Sequence, residues 1–173
     1  MSTDALFELL TANGIPYRRY DHDAVFTCEQ ADPVVPASEG AVHAKNLFLR
    51  DKRGKQHWLL VTTCEKAVDL KRVAAVLDVD TLSLGSPERL QKYLGVTPGA
   101  VTILALMNDR AHEVTLLIDR DVWTGAPVRC HPLVNTSTLV LTRDDLLKFL
   151  SVTGHTPQVI NVPSRAPSPS TDA

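Results

Sequence analysis

Two apolar runs, residues 44–50 and 56–63, flank Asp51-Lys52-Arg53-Gly54, and this pairing constrains the fold more than any other feature of the chain. Both runs are rich in strand-favouring side chains and partly alternate, while the Asp and Gly between them supply turn chemistry. They predict an antiparallel hairpin. Alternation along the first run puts Lys45, Leu47 and Leu49 on one face. A lysine in such a row has two uses. It can lay its stem along the strand end and carry the ammonium into water, or it can hold an anion at the mouth of an apolar cleft. The pattern alone leaves both open.

Helix signals surround the hairpin. Leu6, Leu9 and Leu10 follow Asp4 at helical spacing and stop at Asn13-Gly14. Thr27 with Gln30 fits a capping box over 27–31, and Thr142 with Asp145 repeats it before Leu146, Leu147, Phe149 and Leu150. A helix is expected over 69–77. Another is expected over 87–94, opened by Ser86-Pro87 and closed by Gly95. Strands are expected over 15–20, 101–106, 113–118 and 137–141, with a hairpin turn at 107–110 and an edge strand over 157–162. Hairpins and helices mix without a repeating βαβ rhythm. The expected class is therefore α+β: a single domain over 1–162, with a mixed, mostly antiparallel sheet and packed helices. Residues 163–173, rich in Pro, Ser and Ala, read as a disordered tail.

Composition narrows the partners. Apolar residues form 44% and charged residues 22% of the 173 positions, enough to bury a sizeable core. A formal charge of −2 excludes the broad basic face with which proteins grip long duplexes, so DNA is not an expected partner and any RNA is held locally. MSTDALFELL has no basic leader, and no apolar stretch approaches a membrane span. A cytoplasmic protein without a membrane partner is expected. Cys28, Cys64 and Cys130 form no disulfide framework and no Cys-x-x-Cys pair, which predicts reduced thiols. The six histidines never pair at a ligand spacing, so no metal is expected and a structural role for most of them is.

Three segments carry chemistry. Besides Lys45, Gly95-Val96-Thr97-Pro98-Gly99-Ala100-Val101 is a glycine-bracketed turn whose backbone amides could face a carbonyl, though an ordinary helix stop and proline turn explains it equally. The segment 130–138 crowds imidazole, amide and hydroxyl groups that could equally be turn chemistry. There is no nucleophile elbow, phosphate loop or zinc helix.

In order along the chain, Ala44-Lys45-Asn46-Leu47-Phe48-Leu49, residues 94–100, Asn108-Asp109 and His131-Pro132-Leu133-x-Asn135-Thr136 resemble the YbaK and prolyl-tRNA synthetase-associated editing domains. The likeness is greatest to the free-standing ProXp-ala type and runs to about residue 162. It implies an aminoacyl-tRNA deacylase that hydrolyses alanyl-tRNA(Pro) by water attack, with no cofactor and no metal. Cysteinyl-tRNA(Pro) is the alternative substrate, and a non-catalytic tRNA- or synthetase-binding module is the alternative role. The implied partners are the acceptor end of mischarged proline tRNA and, transiently, prolyl-tRNA synthetase or an elongation factor. By the same resemblance Lys45, Gly99 and His131 are the catalytic candidates, and Thr27, Asn46, Asn135 and Thr136 bind substrate. Gly99 matches the glycine of the family's Gly-x-x-x-Pro loop, but Ile103 stands where that proline belongs.

Overall fold

A computed structural model describes residues 2–165. The predicted hairpin forms: β2 (Ala44–Asp51) pairs antiparallel with β3 (His57–Thr63), Leu47 opposite Leu60. Its turn closes because the Asp51 carboxylate accepts from the backbone N–H groups of Arg53, Lys55 and Gln56, while Gly54 takes φ +65°. These charge-assisted bonds fix the strand register that sets Lys45 and Asn46 on opposite faces.

The other elements, in chain order, are α1 (Thr3–Ala12), β1 (Arg18–Asp21), α2 (Cys28–Ala31), α3 (Leu70–Val76), β4 (Leu82–Leu84), α4 (Pro87–Leu94), β5 (Val114–Asp119), β6 (Val128–Cys130), β7 (Ser137–Leu141), α5 (Arg143–Thr153) and β8 (Gln158–Ile160). They build two sheets where one was expected. The larger has the order β4-β2-β3-β5-β8, and the smaller, fully antiparallel, has the order β1-β7-β6. In the larger sheet β5 runs parallel to β3 and β8 parallel to β5, so that sheet is evenly mixed, and antiparallel pairs are in the majority only over both sheets together. The class is α+β.

Capping explains the helix ends. Thr142 accepts from Asp145 N at 3.2 Å to open α5, and Gly154, at φ +79°, closes it. Leu146, Phe149 and Leu150 then face the main core beside Leu6 and Leu10 of α1. Phe48, Leu59 and Val61 put one face of the hairpin into that core, while Leu49, Trp58 and Leu60 put the other against Val73 and Ala74 of α3.

Three expectations are corrected. Residues 101–106 are not a strand, and 107–110 is not a hairpin turn: Ile103–Asn108 form a 3-10 helix, capped by Thr102 and buried from Ile103 through Met107. A short apolar run buried on every side has no period that separates strand from helix. The first strand starts three residues late, at Arg18. Cys28 and Cys64 are not thiols but a disulfide across a separation of 36 residues, and Cys130 alone is free.

Two joins matter for the cleft described next. Val42 bridges Val128, so the start of β2 meets β6 and the two sheets touch at that corner. Pro163 O accepts from Asp69 N and Arg165 N donates to Ala67 O, which lays residues 163–165 beside the start of α3. The rest of the expected tail, 166–173, lies outside the described residues. Among the described residues no helix is long and apolar enough to cross a membrane.

Candidate active site

Where the two sheets meet, a cleft of about 210 Å³ is walled by the segment Val25–Cys28, by His43, Ala44, Lys45 and Asn46 of the β2 start, by Gly99 and Val101, and by His131 just after β6. Five of the seven residues singled out from the sequence therefore converge: Thr27, Lys45, Asn46, Gly99 and His131. Asn135 stands behind the wall, where its Nδ2 donates to Val25 O at 3.0 Å and holds that segment in place. Thr136 is not among the lining residues; its carbonyl accepts from His22 N and helps hold the turn that precedes Val25.

Lys45 is neither snorkelling freely nor empty-handed. Its Nζ donates to Cys64 O at 3.0 Å and Lys66 O at 2.6 Å, leaving the third N–H for a ligand. Burial pushes its pKa down, and the carboxylates of Glu65 and Glu29 pull it back up. The carbonyl that receives it is itself anchored. Lys66 Nζ lies 2.7 Å from both Asp119 and Asp121, and buried Asp119 also accepts from Thr62 Oγ1 at 2.6 Å. Burial would raise the Asp119 carboxyl, but Lys66, Thr62 and the N–H groups of Asp121 and Val162 together hold it below the usual carboxylate range.

Asn46 faces the cleft with its buried side-chain Oδ1 lacking a partner among the described residues. An orphaned buried amide oxygen is costly, and a donor on a ligand would satisfy it. Gly99 turns the opposite wall at φ +89°, a conformation an L side chain resists, and a Cβ there would sit 3.2 Å from the Phe26 ring. The Ala100 N–H is spent on Thr97 O at 3.0 Å, while the Gly99 and Val101 N–H groups have no backbone partner among the described residues. Ile103, at the position of the family proline, serves the fold: it is buried in the main core at the start of the 3-10 helix.

His131 Nδ1 lies 3.0 Å from Ser137 O, which fixes that nitrogen as the donor and leaves a lone pair on Nε2. Burial above all, against the hydrogen bond to Ser137 that raises it and with small help from His22 and His43, pushes its pKa down, so the ring is neutral at neutral pH. The remaining histidines divide. His57 stacks on Phe48 and His155 meets buried Asp109, both in structural roles, whereas His43 lines the cleft.

Sequence reasoning missed Phe26 and His43. Phe26 is 70% exposed at the cleft mouth, and its N–H donates to Gln30 Oε1, so the capping-box glutamine steadies it instead of the N-cap backbone. An aromatic residue immediately before a cap was the available signal. His43 offered none, since only the fold brings it to Cys28 and Cys64.

The family model for the aminoacyl-tRNA editing domain matches residues 22–149. The chain is 36% identical over 148 residues to the prolyl-tRNA editing protein ProX of Acetoanaerobium sticklandii, covering 86% of this chain and 90% of that one. It is 35% identical over 158 residues to the prolyl-tRNA synthetase associated domain-containing protein 1 of Danio rerio, covering 90% and 85%. A solved structure assigned provisionally as a trans-editing enzyme for prolyl tRNA synthetase superposes with a TM-score of 0.69 over 96% of this chain and 99% of that one. At 17% identity, that likeness speaks for the fold alone.

Proposed function

Because the chain belongs to the aminoacyl-tRNA editing domain family, we propose that it is a trans-editing deacylase whose cleft hydrolyses the ester joining alanine to proline tRNA. The observation that carries this reading is the meeting, in one small cleft, of a lysine with one free N–H, an orphaned amide oxygen and two lining residues, Gly99 and Val101, whose N–H groups have no backbone partner among the described residues. Its volume of about 210 Å³ lies below the ~300–1,000 Å³ of pockets built for drug-sized ligands, which suits a small aminoacyl group.

An aminoacyl ester is already activated, so the protein's task is to position it and to stabilise the oxyanion that forms. In this scheme the Gly99 and Val101 N–H groups donate to that oxyanion. Asn46 Oδ1 accepts from the substrate's α-ammonium. The lone pair on His131 Nε2 orients the attacking water, and the free hydroxyl of the terminal ribose assists its attack. Lys45 uses its remaining N–H on the terminal phosphate, and Phe26 offers a face on which the terminal adenine stacks. No step uses a metal ion.

The acceptor end of proline tRNA is then the only nucleic acid that must enter. The near-neutral charge fits such a local grip, and the enzyme acts in the cytoplasm beside prolyl-tRNA synthetase. The test is a panel of proline tRNA charged separately with alanine, cysteine, serine and proline. Clearance of the alanyl ester with proline spared supports the proposal. Faster clearance of the cysteinyl ester redirects it to the thiol substrate, and no turnover of any ester leaves a binding module.

A further inference from the structure

We propose that, once the Cys28–Cys64 disulfide is opened, Cys28, Cys64 and His43 form a binding site for a thiophilic divalent cation such as Zn2+ on the rim of the cleft. One ligand atom from each of the three lies within 4.8 Å of the others. Two thiolates on one tetrahedral zinc stand about 3.7 Å apart, from Zn–S bonds of ~2.3 Å. All three side chains can therefore reach a single ion by rotating, without a shift of the backbone.

The disulfide accounts for the two sulfurs but not for the imidazole beside them. His43 Nδ1 is faced by Asp32 Oδ1 at 3.4 Å, and Asp32 is fixed in turn by Arg129, whose Nη1 donates to its main-chain carbonyl at 3.0 Å. A carboxylate on one ring nitrogen is the arrangement that orients a histidine for ligation through the other. The ligands come from three separate places: α2, the residue before β2, and the residue after β3. An ion there ties the same two segments that the disulfide ties. The Cys64 carbonyl that holds Lys45 is then fixed in both states.

The chemistry balances simply. A dithiol reductant breaks the Cys28–Cys64 bond, becomes a disulfide itself and leaves two thiols. The cation displaces one proton from each thiol to solvent, and two thiolates with a neutral imidazole cancel its charge, as a half-buried position demands. The fourth position, on the cleft side, is left to water. The proposal does not depend on the deacylase reading, and its test measures no turnover.

The full chain is reduced, freed of reductant under argon and titrated with Co2+, whose thiolate charge-transfer and tetrahedral d–d bands report the ligand set. Zn2+ then competes the Co2+ off. The expected result is one ion per reduced chain with the intensity of two thiolates, and none bound by the oxidised chain. His43→Ala, which keeps both sulfurs, and Asp32→Asn, which keeps all three ligands, should each weaken binding by about 10–100-fold. The proposal is overturned if the reduced wild type shows no charge-transfer band, or if the band survives in the Cys28→Ser/Cys64→Ser double variant. Unchanged affinity in His43→Ala also overturns it; that variant keeps both cysteines, so its fold is checked in the oxidised chain before reduction.

Discussion

At the residue scale, the cleft depends on a few side chains whose substitution has distinct signatures. Gly99→Ala forces a side chain into φ +89° and against Phe26. It should destabilise the fold by more than the ~0.4–1 kcal/mol that a tolerated glycine replacement gains, read by denaturant melts, and should also slow deacylation. Phe26 is exposed and belongs to neither core cluster, so Phe26→Ala should raise KM for charged tRNA several-fold and leave the melting midpoint unchanged; loss of stability without a change in KM would place it in the fold instead. Lys45 was legible in the sequence as a charge in an apolar row, but its two carbonyl partners were not, because Cys64 and Lys66 reach it only when β3 returns alongside β2. Asn46 gave no signal of its own, since an orphaned amide oxygen is a property of the packed structure.

At the scale of elements, local chemistry was the readable part. The Asp51 turn, the Ser86-Pro87 start of α4 and the Thr142 cap of α5 form as their sequences predict, because each is decided within about five residues. The three-residue strands β4 and β6 were unreadable: each is too short for alternation to show and exists only by pairing with β2 or β7. Ile103–Asn108 misled for the opposite reason, since its continuous apolar run satisfies any buried element. The disulfide makes a prediction at this scale. Closing a loop of 36 residues should stabilise the oxidised protein by about 3–4 kcal/mol in the chain-entropy account. Cys64→Ser melts under non-reducing conditions should fall by that amount, and reduced wild type without added metal should match the variant. The Asp119–Lys66 pair makes another. Asp119→Ala leaves Lys66 with only the exposed Asp121 carboxylate and Thr62 Oγ1 without its acceptor, so it should lower the melting midpoint and loosen the carbonyl that holds Lys45.

For the whole molecule, two sheets meeting at Val42 and Val128 create a cleft that no single element contains. The α+β class was legible because the mixture of hairpins and helices excludes a doubly wound sheet. The division into two sheets was not, because it depends on distant β1 pairing with β7, with β6 on the other edge of β7, instead of joining the larger sheet. Burial pushes three histidines, His43, His57 and His131, below their ordinary value in the folded protein. Their unfolded forms bind protons first as pH falls, so stability should be level above about pH 6.5 and decline on acidification below it. Melting curves from pH 5 to 8 check this, and rising stability toward acid would contradict it. Ester hydrolysis should show an acid limb, falling below the usual histidine range as His131 gains its second proton.

In the proposed reaction the ester is cut in the cleft around Lys45. Its most direct test is single-turnover hydrolysis of alanyl-tRNA(Pro) by wild type and Lys45→Ala at equal concentration, with matched melting curves. Rapid clearance by the wild type is expected, with a loss of about 100-fold or more in the variant, the scale on which misplacing a substrate acts. A folded Lys45→Ala protein that clears the substrate at the wild-type rate would contradict it.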